Sequence, residues 1–456
     1  MTDSILNEFP FFSILPSFFA IGLVLWTRQV VISLFIGLVL GGILVKGGVA
    51  LGIEQALDWC VSVFQSKSST RVILFSSMVG GWLSLTHEMN GLTSLSALLS
   101  QKVKIKTQRQ VRVFSFLIGC GVFLESSLTC LVAGTVSGPL YDRLKLGRLQ
   151  LAYLIDATSA PICILIPLNG WGAYLVGLLE SQGVQSPVET LVASIFYNFY
   201  AWGAVLVAGV FAWKGFFWGP LKDQSVEFKN KLQKQEDSID PFGVIQILGS
   251  LFILFFGVIG GLWITGKGDL MKGSGSTSVF WAIFAATVFS LILWRWKRGK
   301  LDQGVDFFFK GTGEFLPLSV LMIFAFAIGE MSTSLQTGPI VAEFLQGSLS
   351  SSLFPAGLFI TASIVAFSTG TSWGTFALLI PIAAPMATPE LFPLYLGAVL
   401  SGGVFGDHAS PLSDTTIIAS LSAQVEPYDH VRTQIPYAGL GGVFALGLFL
   451  GIGLLL

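Results

Sequence analysis

Apolar runs of roughly 17 to 25 residues recur from one end of the chain to the other, and about 20 apolar residues suffice to cross a hydrocarbon core as helix. Twelve such segments are centred near residues 19, 38, 80, 125, 165, 204, 254, 286, 326, 370, 407 and 446. The short alternating pattern of a membrane barrel is absent, so the segments read as helices. The pattern predicts an all-α polytopic membrane protein.

Charge in the connecting stretches decides which segments cross. Lys102, Lys104, Lys106, Arg109 and Arg112 precede the fourth segment, and Arg143, Lys145 and Arg148 follow it. Short basic loops mark the cytoplasmic side, so that segment enters and leaves on one side, as a re-entrant hairpin over residues 111–140 with its tip near Glu125 and Ser126. The tenth segment is the mirror case. Neither Gln336 to Ser352 nor Met386 to Pro393 contains Lys or Arg, which predicts a second hairpin over 353–386, entering from outside, with Thr371 and Ser372 at its tip. Lys214 to Lys234 and Arg295 to Lys300 are basic and inside, while Ser181 to Thr190 lacks basic residues and lies outside. The result is about ten crossings plus two hairpins. Only the loop with Lys267 and Lys272 sits outside against its charge.

Composition agrees with this picture and excludes alternatives. Hydrophobic residues make up 53% of the 456-residue chain, charged residues 11%, and mean hydropathy is +0.76, against about a quarter charged in soluble domains. A net charge of −1 offers no nucleic-acid footprint. The first run, Phe11 to Trp26, lacks a basic region ahead of it and is not expected to be a cleaved signal. Cys60, Cys120, Cys130 and Cys163 stand alone in apolar surroundings and read as packing residues.

A faint internal repeat runs at an offset of 246 to 250. Gly91 falls on Gly338, Ser126 on Ser372, Pro139 on Pro385 and Pro161 on Pro411. Opposite charge orientation of the two halves makes this an inverted repeat, with about five crossings and one hairpin in each of residues 1–213 and 241–456, joined by a cytoplasmic linker over 214–240.

Polar residues gather where helices are expected to break. Gly402 to Thr416 puts Asp407, His408, Ser410, Ser413, Asp414 and Thr415 inside an apolar span, with glycines and Pro411 expected to interrupt the helix over 393–421. A second broken helix, over 150–180, carries Asp156, Thr158, Ser159 and Pro161. Broken backbone at membrane depth is tolerated where it lines a cavity or binds an ion, and a central Asp costs about 2.5–3.5 kcal/mol by insertion scales. The donor set suits a hard cation, with Na⁺ held by Asp407, Asp414 and Asp156 together with Ser410 and Thr371. The plainer reading of each acid is a cap on a broken helix, and of His408 a satisfied interior histidine. Glu125 at a hairpin tip could face water. Glu88 and Glu330 read as interfacial, Trp82 and Trp171 as packing or belt residues, and His430 as a loop residue without special signal. Ser410 or Ser413 with His408 does not make a hydrolase, because residues this close on a broken helix seldom form a triad.

The stretch Phe405 to Thr416 resembles the signature of the NhaC family of sodium/proton antiporters, within the ion transporter superfamily, and Ser368 to Thr375 and Asp156 to Pro161 resemble two further blocks of it. The resemblance covers roughly residues 70 to 440. It implies hairpins and unwound helices meeting at a central site, elevator-like movement, monovalent-cation exchange in a bacterial inner membrane, and no cofactor beyond transported Na⁺ and H⁺; some relatives couple these ions to small organic acids. A homodimer is one assembly open to such a fold. Many relatives carry a pair of acids at the first hairpin, where this chain has Glu125 followed by Ser126 and Ser127.

Overall fold

The computed structural model describes residues 10–13, 15–27, 29–102, 105–123, 125–222, 239–336 and 351–456, and every regular element among them is helical. The chain opens with α1 (Leu15–Thr27), α2 (Val30–Lys46), α3 (Val49–Ser62), α4 (Lys67–Glu88) and α5 (Gly91–Lys102). A packed pair follows, α6 (Gln108–Gly121) and α7 (Ser126–Arg143). Next come α8 (Arg148–Asp156), the short α9 (Ala160–Leu165), α10 (Gly170–Ser181), α11 (Pro187–Ile195) and α12 (Phe199–Lys214). Beyond the linker lie α13 (Pro241–Thr265), α14 (Gly275–Arg298), α15 (Leu301–Glu314) and α16 (Leu316–Ser334). A second packed pair, α17 (Phe354–Thr369) and α18 (Ser372–Met386), precedes α19 (Phe392–Ala409), α20 (Asp414–Ala423) and α21 (Pro427–Leu455). Of the linker, 223–238 lies outside the described residues, as does 337–350 of the stretch without Lys or Arg before α17.

Among the described residues five helices are long and apolar enough to cross a membrane, or seven if each of two bent pairs counts as one span. One bent pair is α2 with α3, at 118°. The twelve-segment reading does not include α3, because Glu54, Gln55 and Asp58 dilute its hydropathy. Its buried Gly52, Ala56 and Trp59 recur at helical spacing and hold it against α2. The amphipathic α15 was likewise outside that count; it lies on α4, where Gly80 and Gly311 allow backbone contact.

The α19 helix is the buried axis of the C-terminal half, packed against α12, α17, α18 and α21. Gly402, Gly403 and Gly406 do not break it, contrary to the expectation from sequence, and it stays helical to Ala409. They serve close approach instead. A Cβ on Gly402 would stand 2.3 Å from Phe359 O, one on Gly406 2.2 Å from Ser363 O, and one on Gly403 2.4 Å from the Phe376 ring. Small residues of this kind let membrane helices meet backbone to backbone. Gly406→Ala is therefore expected to lower stability by roughly 1–3 kcal/mol through overpacking, read as a fall in the thermal midpoint of the detergent-purified protein.

At the start of α13, Asp240 caps the helix by accepting the Phe242 amide at 3.1 Å and pairs with Lys297 of α14. Burial pushes the Asp240 carboxyl up, but the Lys297 ammonium and the amides of Phe242 and Gly243 together hold it below its ordinary value. A depressed folded-state value means stability present above the unfolded value near pH 4 and lost as pH falls through the folded one. Asp240→Asn is expected to cost about 1 kcal/mol at neutral pH, and the gap from wild type should close below pH 4 in thermal unfolding.

Candidate functional site

Two helix interruptions in the C-terminal half meet each other. Between α17 and α18, Gly370 takes φ +68, and a Cβ there would lie 2.5 Å from the Leu412 carbonyl, so both its conformation and its closeness call for glycine. Between α19 and α20, Ser410 donates to Phe367 O at 2.7 Å and accepts the Leu412 amide at 3.2 Å, which fastens this break to the end of α17. At the junction Ser372, the first residue of α18, donates to Asp407 Oδ2 at 2.7 Å and to Gly403 O at 3.2 Å. Asp407 is 2% exposed. Its other oxygen has no hydrogen-bond partner among the described residues. Ser413 lies beside this carboxylate and caps α20, and its hydroxyl is 3.0 Å from that of Thr415.

The N-terminal half contributes the matching breaks. Glu125 caps α7, accepting the amides of Ser127 at 3.0 Å and Leu128 at 2.6 Å, a role the sequence reading assigns to the other acids and not to this one. Asn169 caps α10 through the Gly172 amide, and its side-chain amide donates to the carbonyls of Phe123 and Cys163 at 2.8 Å and of Ile166 at 2.9 Å. One side chain thereby satisfies backbone freed on two elements, as membrane depth demands. The helix breaks twice, after Asp156 and after Leu165. Thr158 donates to Leu154 O at 2.8 Å and Ser159 to Asp156 O at 2.7 Å, so these hydroxyls are engaged by their own helix end.

Asp156 is fully buried and joins the halves. Its Oδ2 accepts Gln434 Nε2 at 2.8 Å and Thr416 Oγ1 at 3.2 Å, with His430 Nε2 at 3.2 Å and His408 Nε2 at 4.0 Å. His408 Nδ1 is 2.6 Å from the Tyr200 hydroxyl, and the His408 carbonyl accepts Gln434 at 2.5 Å. From sequence alone His430 reads as a loop residue. It stands on α21, fully buried, and contacts Asp156 directly. His430 and Gln434 are one helical turn apart ahead of Pro436, and that polar pair at the head of the last apolar span was the signal available. Tyr200 carried no comparable signal, since a tyrosine within an apolar helix reads as packing.

Glu125, Ser126, Thr371, Trp373 and Asp414 line a cleft of about 700 Å³ bounded by α4, α7, α10, α15, α16, α18 and α20. His87, Glu88, Lys310 and Glu314 line it as well, and all four side chains are exposed or half-buried. Trp82 and Trp171 are buried packing residues, the latter 5.4 Å from the Trp373 ring. Among the described residues no three His, Cys, Asp or Glu side chains converge as a metal cluster. Asp407, Asp414 and Asp156 instead occupy separate hydrogen-bonded positions, on Ser372, the Thr415 amide and Gln434 respectively.

Comparison with known proteins gives these breaks a family. The chain is 28% identical over 456 aligned residues to an uncharacterized protein of Haemophilus influenzae, covering 93% of this chain and 88% of the relative. A local stretch of 88 residues, 18% of either chain, is 42% identical to the malate-2H⁺/Na⁺-lactate antiporter of Bacillus subtilis. Another of 96 residues is 41% identical to the arginine/ornithine antiporter ArcD of Halobacterium salinarum, over 20% of this chain and 19% of that one. In fold, the chain resembles Neisseria gonorrhoeae MtrF, of a class of antimetabolite efflux pumps, with a TM-score of 0.59 at 15% identity, covering 88% of this chain and 84% of that one. It likewise resembles the Alcanivorax borkumensis YdaH transporter, with a TM-score of 0.59 at 13% identity over 87% and 88%. The sequence profile of the Na⁺/H⁺ antiporter family matches residues 182–453, more than half the chain. The chain therefore belongs to the Na⁺/H⁺ antiporter family and is a multi-pass membrane transporter, not an enzyme.

Proposed function

We propose that the protein exchanges cytoplasmic Na⁺ for external H⁺ by alternating access in a bacterial inner membrane. The observation that carries this reading is Asp407, a buried carboxylate at two helix breaks, braced by Ser372 on one oxygen, with no hydrogen-bond partner among the described residues on the other and Ser413 beside it. A cation held there would draw on Asp407, nearby hydroxyls such as Ser413, and carbonyls freed by the breaks. A proton competes for the same carboxylate, so the site is neutral when it moves with either cargo, and empty charge stays where it is. The inverted arrangement of ten crossings and two hairpins is part of this proposal. Its support is that Ser126 and Ser372, related by the repeat offset, each open a helix, and that Pro139 and Pro385 lie inside those helices. Exposed Trp213, Trp218 and Trp296 beside Lys214, Arg295 and Lys297 fit a cytoplasmic aromatic belt.

The size of the cleft favours a second reading, in which Na⁺ or H⁺ is coupled to a small organic solute, because about 700 Å³ far exceeds what a bare ion occupies. Everted vesicles from a host lacking its own antiporters separate the two. Collapse of a preformed proton gradient on adding Na⁺ alone supports exchange. A gradient that stays intact until an organic solute is supplied rejects it in favour of the coupled carrier.

A further inference from the structure

Four helices begin around the central cleft. Helix starts ordinarily attract anions, because free amides and aligned peptide dipoles present partial positive charge there. A carboxylate solute would be expected to use them. Here each of the four starts already has one or two of its amides engaged by the protein's own side chains. Glu125 takes two amides at α7, Asn169 takes the Gly172 amide at α10, Ser413 accepts the Thr416 amide at α20 at 3.4 Å, and Thr371 stands 3.5 Å from the Gly374 amide at α18. Two of these starts are also acidic. Glu125 is itself a carboxylate, and Asp414 is the first residue of α20, with Oδ1 on the Thr415 amide at 2.8 Å.

An arriving carboxylate would compete with these caps and meet two of the protein's own carboxyl groups, Glu125 and Asp414. No arginine is among the described residues lining the cleft, and the lysine that lines it, Lys310, is exposed and shares the cleft with Glu88 and Glu314. Trp373 and Trp171 add an aromatic wall to the same cleft, their rings 5.4 Å apart. Carboxylates combined with indole rings are the surroundings that stabilise an organic cation, through charge and through the ring faces. We infer that the cleft binds a small organic ammonium ion lacking a carboxylate group, and that any organic solute carried here is of this class and not an organic acid. The inference rests on the transporter reading of the same cleft.

Quaternary ammonium probes test it, since they carry no titratable proton and cannot themselves dissipate a pH gradient. Purified full-length protein in proteoliposomes is assayed for Na⁺-driven proton flux while choline or tetramethylammonium, and separately lactate or malate, is titrated. Thermal protection of the detergent-purified protein is read with the same compounds. The expected result is competitive inhibition and thermal protection by the ammonium ions at millimolar concentration, with no effect of the carboxylates. Asp414→Asn keeps an oxygen for the Thr415 amide, and Glu125→Gln keeps one for one of its two amides; each should raise the half-maximal ammonium concentration at least about tenfold. Protection by carboxylates alone, ammonium action unchanged in both variants, or no action by either class overturns the inference. Flux that responds to Na⁺ with no ammonium effect leaves antiport standing without this inference, while ammonium protection without Na⁺-driven flux removes antiport and keeps it.

Discussion

Asp407→Asn is expected to weaken Na⁺ affinity by about 30- to 1,000-fold and to abolish Na⁺-driven proton movement, while the protein still folds and inserts. The substitution preserves shape and leaves the amide oxygen to accept from Ser372, now at 2.7 Å from Asp407 Oδ2. What disappears is the negative charge, and the amide N–H₂ points a donor where a cation needs oxygen. A unit charge a few ångströms from a cation is worth roughly 1 kcal/mol in water and about 4 kcal/mol at the effective dielectric of a protein. With Asp407 2% exposed, the higher end applies. Ser372→Ala should be milder, about tenfold, because the charge survives and only its brace is lost. Radioactive Na⁺ binding to purified protein measures affinity apart from transport, and everted vesicles measure exchange. Exchange by Asp407→Asn near the wild-type rate would sink the site assignment.

Asp407 is also where the sequence was most informative. An acid in an apolar span, among glycines, hydroxyls and a proline, is improbable unless it does something, and Asp407 and Ser372 are indeed in contact though 35 residues apart. The same logic located the interruptions between α6 and α7, between α17 and α18, and after Asp156, since turn residues at membrane depth have few other uses. It failed over Gly402 to Gly406. A glycine run reads alike whether it ends a helix or lets another helix touch it, and only the neighbours decide; here Phe359 and Ser363 carbonyls lie where side chains would stand. It failed again at α3, where hydropathy averaged over a window hid an amphipathic helix. The partners of Asp156 were hidden for a different reason. His430 and Gln434 lie about 275 residues away, and their meaning arises only when α21 is folded against α8.

That contact leads to the second large expectation. Asp156→Ala should destabilise the folded protein by about 3–5 kcal/mol, the scale for removing one partner of a buried charged cluster. Three donors converge on Asp156 Oδ2, from Gln434, Thr416 and His430, and all of them are buried. With the carboxylate gone each buried donor loses its partner, at about 1–3 kcal/mol apiece less whatever the side chains recover by turning elsewhere. Asp156→Asn retains an oxygen in the same place and should lose less. His430→Ala should lose least of the three, since Gln434 and Thr416 still hold the carboxylate. The ordering in thermal midpoint and in monodisperse yield from detergent is the test, and an unchanged midpoint for Asp156→Ala would overturn it. The network spans α8, α19, α20 and α21, with Tyr200 of α12 joined through His408. A loss there therefore loosens both halves at once. If Asp156→Asn keeps its midpoint yet abolishes exchange, the carboxylate charge itself serves transport, and Asp156 stands with Asp407 as a working residue and not only as the clasp between the halves.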